Sequence, residues 1–326
     1  MEMKNRSIYQ NLVHNWVALI NQTCFCDFIL LGFSGGQVLT SCLILIIYSM
    51  ILVGNMTIFS IIRIDNHLQT PMYFFLSYLS ILDICYSTVT LPAMLVNAIT
   101  GNRRISFSRC FTQLYFFVSL GGSECLLLAA MAYDRYVAIC NPFHYRVVMN
   151  KRFCSYLVGG SWFSGFLNSV LHTLMTSKLT FCDSRRVNNF FCDVPPMLHA
   201  ACTDTHTSQL LLYIVSVFLG MTPFVFVIVS YVHIISTILR IRSAVGRRKA
   251  FSTCSSHLIV VTVFYVTANF NYIGPAPGDS FDIVRISTVL YSVLTPLFNP
   301  VIYCLRNQEV RRALAKAFTG KYLYLK

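Results

Sequence analysis

Seven stretches of this chain are each close to the length needed to cross a lipid bilayer, and that repetition limits the fold more than any other feature. They run at about 38–62, 71–99, 108–140, 153–173, 208–239, 250–273 and 283–305. A bilayer core of about 30 Å takes roughly 20 apolar residues wound as an α-helix. Backbone polar groups in lipid must be satisfied within each segment, so the expectation is an all-α membrane protein, a seven-transmembrane helix bundle. Composition agrees: 56% of the 326 residues are hydrophobic and 11% are charged, where a soluble domain carries about 25% charged residues. No repeat or second soluble domain is visible. Residues 1–37 read as an extracellular N-terminal segment, 38–305 as the bundle and 306–326 as a cytosolic tail.

Orientation follows from the basic residues. With the amino terminus outside, the inner loops hold Arg63, Arg146, Lys151, Arg152 and the run from Arg240 to Lys249, and the tail holds Arg306, Arg311, Arg312 and Lys316. The outer side receives fewer, among them Arg103, Arg104 and Arg186. This positive-inside bias fits an odd number of spans with the carboxy terminus in the cytosol, and the expected location is the plasma membrane. It also accounts for the net charge of +13 through anionic inner lipids, leaving no case for nucleic acid. Val310, Leu314 and Phe318 recur at helical spacing among basic residues, the pattern of a short amphipathic helix on the inner membrane surface. The N-terminal segment carries glycosylation sequons at Asn5 and Asn21 and no apolar run long enough for a cleavable signal peptide. A third match, at Asn55, lies inside an apolar run.

The third span ends in Met131-Ala-Tyr-Asp-Arg-Tyr-Val-Ala-Ile-Cys140, with Asp134 and Arg135 arriving abruptly after some twenty residues in which Glu124 is the one charge. An arginine there can snorkel to the headgroups, or be held by Asp134 until a partner takes it. The string closely resembles the signature of odorant receptors, a branch of the rhodopsin-like G-protein-coupled receptors. Pro71-Met-Tyr-Phe-Phe-Leu76, Lys249–Leu258 and Pro296-Leu-Phe-Asn-Pro-Val-Ile-Tyr303 match the same family in the same order, so the resemblance runs from about Phe28 to Phe318. It implies a receptor that binds a small volatile odorant and activates a heterotrimeric G protein of the stimulatory, olfactory type, raising cAMP. In that reading Asp134, Arg135, Tyr136, Tyr231, Asn299, Pro300 and Tyr303 form the switch that opens a cytosolic cleft.

The resemblance also implies disulfides Cys110–Cys192 and Cys182–Cys202, which would pin a long outer loop over the bundle; spacing alone leaves three pairings open. Cys24 and Cys26 have no counterpart in the family pattern. For the ligand it points to Phe117, Val118, Gly121 and Gly122 on the third span, Ser216 on the fifth, and Tyr265, Asn269 and Tyr272 on the sixth. The last three share one helical face. Phe117 stands where amine receptors carry Asp, the seventh span has no Lys for a retinal Schiff base, and Gly274–Pro277 offers no Arg for a carboxylate. The expected ligand is therefore small and neutral. Asp83 and Glu124 lie near mid-membrane, where a lone acid costs several kcal/mol unless paired, hydrated or protonated. The family analogy is a bound sodium ion, shared with polar neighbours such as Asn55 and Asn299; a protonated, hydrogen-bonded core is the alternative.

Gln69, Phe143, Val266 and Cys304 depart from the usual family strings, and Val266 would add bulk beside Tyr265. Competing classes are a transporter or channel, and a related receptor for a peptide or lipid. Inverted repeats, the mark of many transporters, are not evident. No HExxH, GxSxG or phosphate loop points to an enzyme.

Overall fold

The computed structural model of the protein describes residues 27–32, 37–181, 185–273, 288–306 and 308–318. Within them run seven long helical segments: α1 Gln37–Ile64, α2 Pro71–Thr100, α3 Phe107–Cys140, α4 Lys151–Ser177, α5 His206–Leu239, α6 Ala244–Ile273 and α7 at 288–306. A shorter helix, α8, follows at Gln308–Phe318. Four of them, α1, α2, α3 and α5, are long and apolar enough by themselves to cross a membrane. The helices overrun the apolar stretches; α6 starts at Ala244 rather than near 250, because hydropathy marks where lipid lies and not where winding stops.

Local chemistry sets several ends. Pro71 opens α2 at a first-turn position where the missing N–H has no helical partner. The same helix stops at Gly101, whose φ of +66° is left-handed and whose N–H reaches Asn97 O at 3.0 Å. Asn150 caps α4, its Oδ1 accepting from Phe153 N at 3.0 Å. After α1, Gln69 folds back and donates from Nε2 to Ile62 O at 2.8 Å.

Helix-breaking prolines are answered across the bundle. Pro223 in α5 cannot donate to the carbonyl four residues earlier, and that carbonyl, of Leu219, accepts from Cys125 Sγ of α3 at 2.9 Å. Pro300 in α7 likewise frees Pro296 O, which accepts from Asn55 Nδ2 of α1 at 3.1 Å. Buried and bonded, Asn55 is not a glycan site. Turns of π-helix interrupt α5 at Ser216–Met221 and α7 at Leu290–Leu294, widening both helices locally.

Close approach depends on glycine. A Cβ on Gly165 of α4 would run into the Ser119 carbonyl and Ser123 of α3, and one on Gly54 would lie 2.9 Å from Pro300. Leu43, Ile46, Met50 and Val53 on α1, and Phe218, Val225 and Val232 on α5, face outward, as side chains bathed in lipid do. Val310 and Ala313 seat α8 against the bundle, and Tyr73 OH donates to its Glu309 Oε2 at 2.7 Å.

The outer end adds a feature that the all-α expectation lacks. Phe28–Leu30 (β1) pairs antiparallel with Arg104–Ile105 (β2) and parallel with Arg186–Val187 (β3), giving a three-stranded sheet in the order β2-β1-β3. Strands of two or three residues are too short to show a period in sequence. Beneath the sheet, Phe28 meets Phe107, Phe111 and Phe181 at centroid distances of 4.9–6.4 Å.

Replacing Gly165 by Val should cost about 1–3 kcal/mol through overpacking and sharply reduce surface delivery. Gly159→Val, at a site with open space around it, should be tolerated. Comparing the two by surface labelling and thermal unfolding checks the contact, and equal behaviour would contradict it.

Candidate functional site

Between α3, α4, α5 and α6, beneath the outer loop, lies a cavity of about 90 Å³. Val118, Gly121, Gly122, Ser216, Tyr265, Asn269 and Tyr272 all line it, as do Val215 and Leu219. Phe117 does not. It is fully buried behind the wall, stacked on Tyr86 with centroids 4.8 Å apart and packed on Phe191 at 4.7 Å. Its ring packs on α2 through Tyr86 and meets Tyr291 of α7 at 6.0 Å. Gly121 makes room for the Tyr291 hydroxyl, and Gly122 lies against Gly165. Val266 is 56% exposed and points outward, so its bulk does not enter, because successive helical residues do not share a face.

The polar groups of the α6 wall are mostly engaged. Tyr265 OH donates to Cys125 O at 2.8 Å and Asn269 Nδ2 to Tyr265 O at 2.7 Å. The roof is held by Asp193, which follows Cys192. Its carboxylate accepts from Val194 N at 2.7 Å, Asn271 Nδ2 at 3.2 Å and Tyr272 OH at 3.2 Å, while Thr288 Oγ1 of α7 donates to Asn271 Oδ1 at 2.9 Å. The disulfide Cys110–Cys192, with Cα atoms 5.4 Å apart, fixes this loop to the outer end of α3. Cys202 is disulfide-bonded as well; its expected partner Cys182, like Cys24, Cys26, Asn5 and Asn21, lies outside the described residues.

Deeper in the bundle, Asn299 Nδ2 of α7 donates to both oxygens of Asp83, at 3.1 and 2.9 Å. Around them Asn55 Oδ1, Glu124 Oε1, Thr295 Oγ1 and Asn299 Oδ1 are buried without a hydrogen-bond partner. Four orphaned oxygens, one of them on Glu124, together with the Asp83 carboxylate make a set of hard donors.

At the inner end, Arg135 forms an ion pair with Asp134 Oδ2, bonding through Nε at 2.9 Å and through Nη2. Tyr145, from the short helix Tyr145–Val148, donates to the other oxygen, Oδ1, at 2.8 Å. Tyr231 shares a 2.6 Å hydrogen bond with His257 Nδ1 and so ties α5 to α6. Tyr136 stands apart from the pair, 6.0 Å from the His233 ring. Pro300 is buried in α7, and the side chain of Tyr303 lies outside the described residues.

Comparison with known proteins decides what this arrangement is. Residues 42–321 match the olfactory receptor family. The chain is 46% identical to olfactory receptor 10A7 of Homo sapiens over 306 residues, covering 93% of this chain and 97% of that one. It is 47% identical to olfactory receptor 226 of Rattus norvegicus over 299 residues, covering 89% and 91%. The chain belongs to the olfactory receptor family. As an olfactory receptor it is a rhodopsin-like, G-protein-coupled odorant receptor of the membrane and not an enzyme.

Within this receptor, sequence reasoning missed Asp193, Tyr145, and the α4 wall of the cavity formed by Asn168 and His172. An acid directly after a bridging cysteine is a signal that could have found Asp193. Nothing in the sequence marks Tyr145 as a partner of Asp134.

Burial pushes the Asp193 carboxyl up to about 6, against the opposing effect of its hydrogen bonds from Val194, Asn271 and Tyr272. A carboxyl raised on folding stabilises the fold at low pH, and that contribution is lost as pH rises through about 6. The roof should therefore make the purified receptor about 1 kcal/mol more stable at pH 5 than at pH 7. Thermal unfolding across that window, with Asp193→Asn as comparison, should show this increment disappear in the variant; an identical pH dependence would contradict it.

Proposed function

We propose that the cavity between α3, α4, α5 and α6 binds a small, neutral volatile odorant. Its occupancy favours a state in which the inner end of α6 moves outward. Arg135 then leaves Asp134 and engages a heterotrimeric G protein of the stimulatory, olfactory type, raising cAMP. The receptor lies in the plasma membrane with its amino terminus outside, so the cavity opens toward the odorant and the basic loops toward the G protein and inner-leaflet lipids. The observation that carries the ligand class is the lining itself, which among the described residues contains no carboxylate, lysine or arginine. An ammonium or carboxylate there would be desolvated without a counter-ion, at a cost of several kcal/mol.

A ligand shifts the resting and active states only by its difference in affinity between them. Tyr265 and Tyr272 are suited to that role. Each lines the cavity while bonding outside it, Tyr265 to α3 and Tyr272 to the roof. A molecule pressing on either ring therefore acts on the position of α6.

Asp83 and Glu124, with the orphaned oxygens of Asn55, Thr295 and Asn299, fit a sodium ion, since hard cations take oxygen ligands. Bound there, the ion would neutralise buried acid charge. The bonds of Asn55 and Asn299 hold α1, α2 and α7 around one polar centre, which favours the resting arrangement.

In transfected cells, a cAMP screen should find neutral volatiles active and their amine and carboxylate analogues at least about tenfold weaker, and Arg135→Ala should abolish the response at equal surface level. Preference for charged ligands, or full signalling by that variant, would contradict the proposal. For the ion, thermal stability should be higher in sodium chloride than in N-methylglucamine chloride of equal ionic strength. That difference should vanish in Asp83→Asn; a difference that persists would remove sodium from this site.

A further inference from the structure

The α4 wall of the cavity holds two nitrogen-bearing side chains whose hydrogen-bonding capacity is unspent. His172 lines the cavity and is 4% exposed. Asn168 lines it one helical turn away, on the same face. Neither side chain has a hydrogen-bond partner among the described residues. The contrast with the opposite wall is sharp, since Tyr265, Asn269 and Tyr272 each already donate to a fixed acceptor. A buried polar side chain without a partner costs about 1–3 kcal/mol. The other polar lining is the Ser216 hydroxyl, Tyr291 and the engaged groups of α6, so a ligand is the group placed to relieve that cost.

We propose that His172, with Asn168 beside it, is the polar handle that recognises the ligand, and that the group it recognises is a hydroxyl. The inference rests on the reading of this cavity as the odorant site. A neutral imidazole offers one donor and one acceptor, and the Asn168 amide offers both kinds as well. A hydroxyl donates and accepts, so it satisfies the imidazole acceptor while receiving a hydrogen bond from the amide. A carbonyl only accepts and leaves the imidazole acceptor unpaired. A hydrocarbon leaves both side chains as they stand. The remaining wall, including Val118, Leu212, Val215 and Leu219, takes the carbon skeleton.

The test uses matched alcohol, ketone and hydrocarbon triplets on linear, branched, monocyclic and aromatic skeletons, read as cAMP dose–response in cells with surface level measured. The full-length receptor is compared with His172→Phe, which keeps a ring and removes the hydrogen bond, and His172→Gln, which keeps a donor and an acceptor. The wild type should prefer the alcohol over its hydrocarbon by about 10-fold or more. His172→Phe should collapse that ratio toward one by weakening the alcohol and not the hydrocarbon, and His172→Gln should restore most of it. An unchanged ratio in His172→Phe, or equal loss for all three members of a triplet, overturns the assignment while leaving the cavity reading intact. Silence of the wild type toward every triplet overturns both.

Discussion

A backbone carbonyl freed by proline has no water to turn to inside a membrane, and the interior of this bundle is arranged around that constraint. Pro223 frees Leu219 O and Pro300 frees Pro296 O; each is taken by a side chain from another helix, Cys125 of α3 and Asn55 of α1. The same requirement pairs Asn299 with Asp83 and carries Ser169 Oγ of α4 to Tyr115 O of α3 at 2.5 Å. Such bonds do not strengthen one helix. They set the distance and rotation between two, which hydrophobic contact alone cannot do where lipid is as apolar as leucine.

Those cross-helix bonds also define where the receptor can change. Asp134 is held on one oxygen by Arg135 and on the other by Tyr145, a three-member cluster at the inner end. Burial pushes the Tyr145 hydroxyl further above its ordinary value, with Asp134 adding to it, so it stays a donor throughout the physiological range. The Tyr231–His257 bond joins α5 to α6 in the same region. Above them Tyr265 crosses from α6 to α3, and the Asp193 roof joins the outer loop to α6 and α7. A cavity bounded by these links can bias a packed, two-state bundle, since close-packed interiors favour discrete arrangements over continuous deformation.

Much of this was legible in the sequence, for physical reasons. Apolar runs longer than a soluble core needs mark membrane helices, and the Asp134–Arg135 pair stands out because charge is costly there. The face carrying Tyr265, Asn269 and Tyr272 followed from helical periodicity. Phe117 lies behind the cavity wall, a placement periodicity does not give, since it tells which residues share a face and not which neighbour that face meets. Val266 looked intrusive because it follows Tyr265 in sequence, whereas on a helix it points elsewhere. His172 and Asn168 were invisible: they sit in an ordinary α4 run, and only the fold reveals that they face a cavity with no partner. The sheet and the Asp193 roof depend on contacts between segments far apart in the chain, which no local pattern records.

The central claim is that filling the outer cavity moves the inner end of α6 away from α3. Distance measurement between probes placed at the inner ends of those two helices, in purified receptor reconstituted into lipid, tests it most directly. The account predicts that an activating odorant together with the G protein lengthens this distance by several ångströms, and that Arg135 becomes accessible at the same time. A distance that stays unchanged at saturating odorant, in a preparation that still catalyses nucleotide exchange, would contradict it.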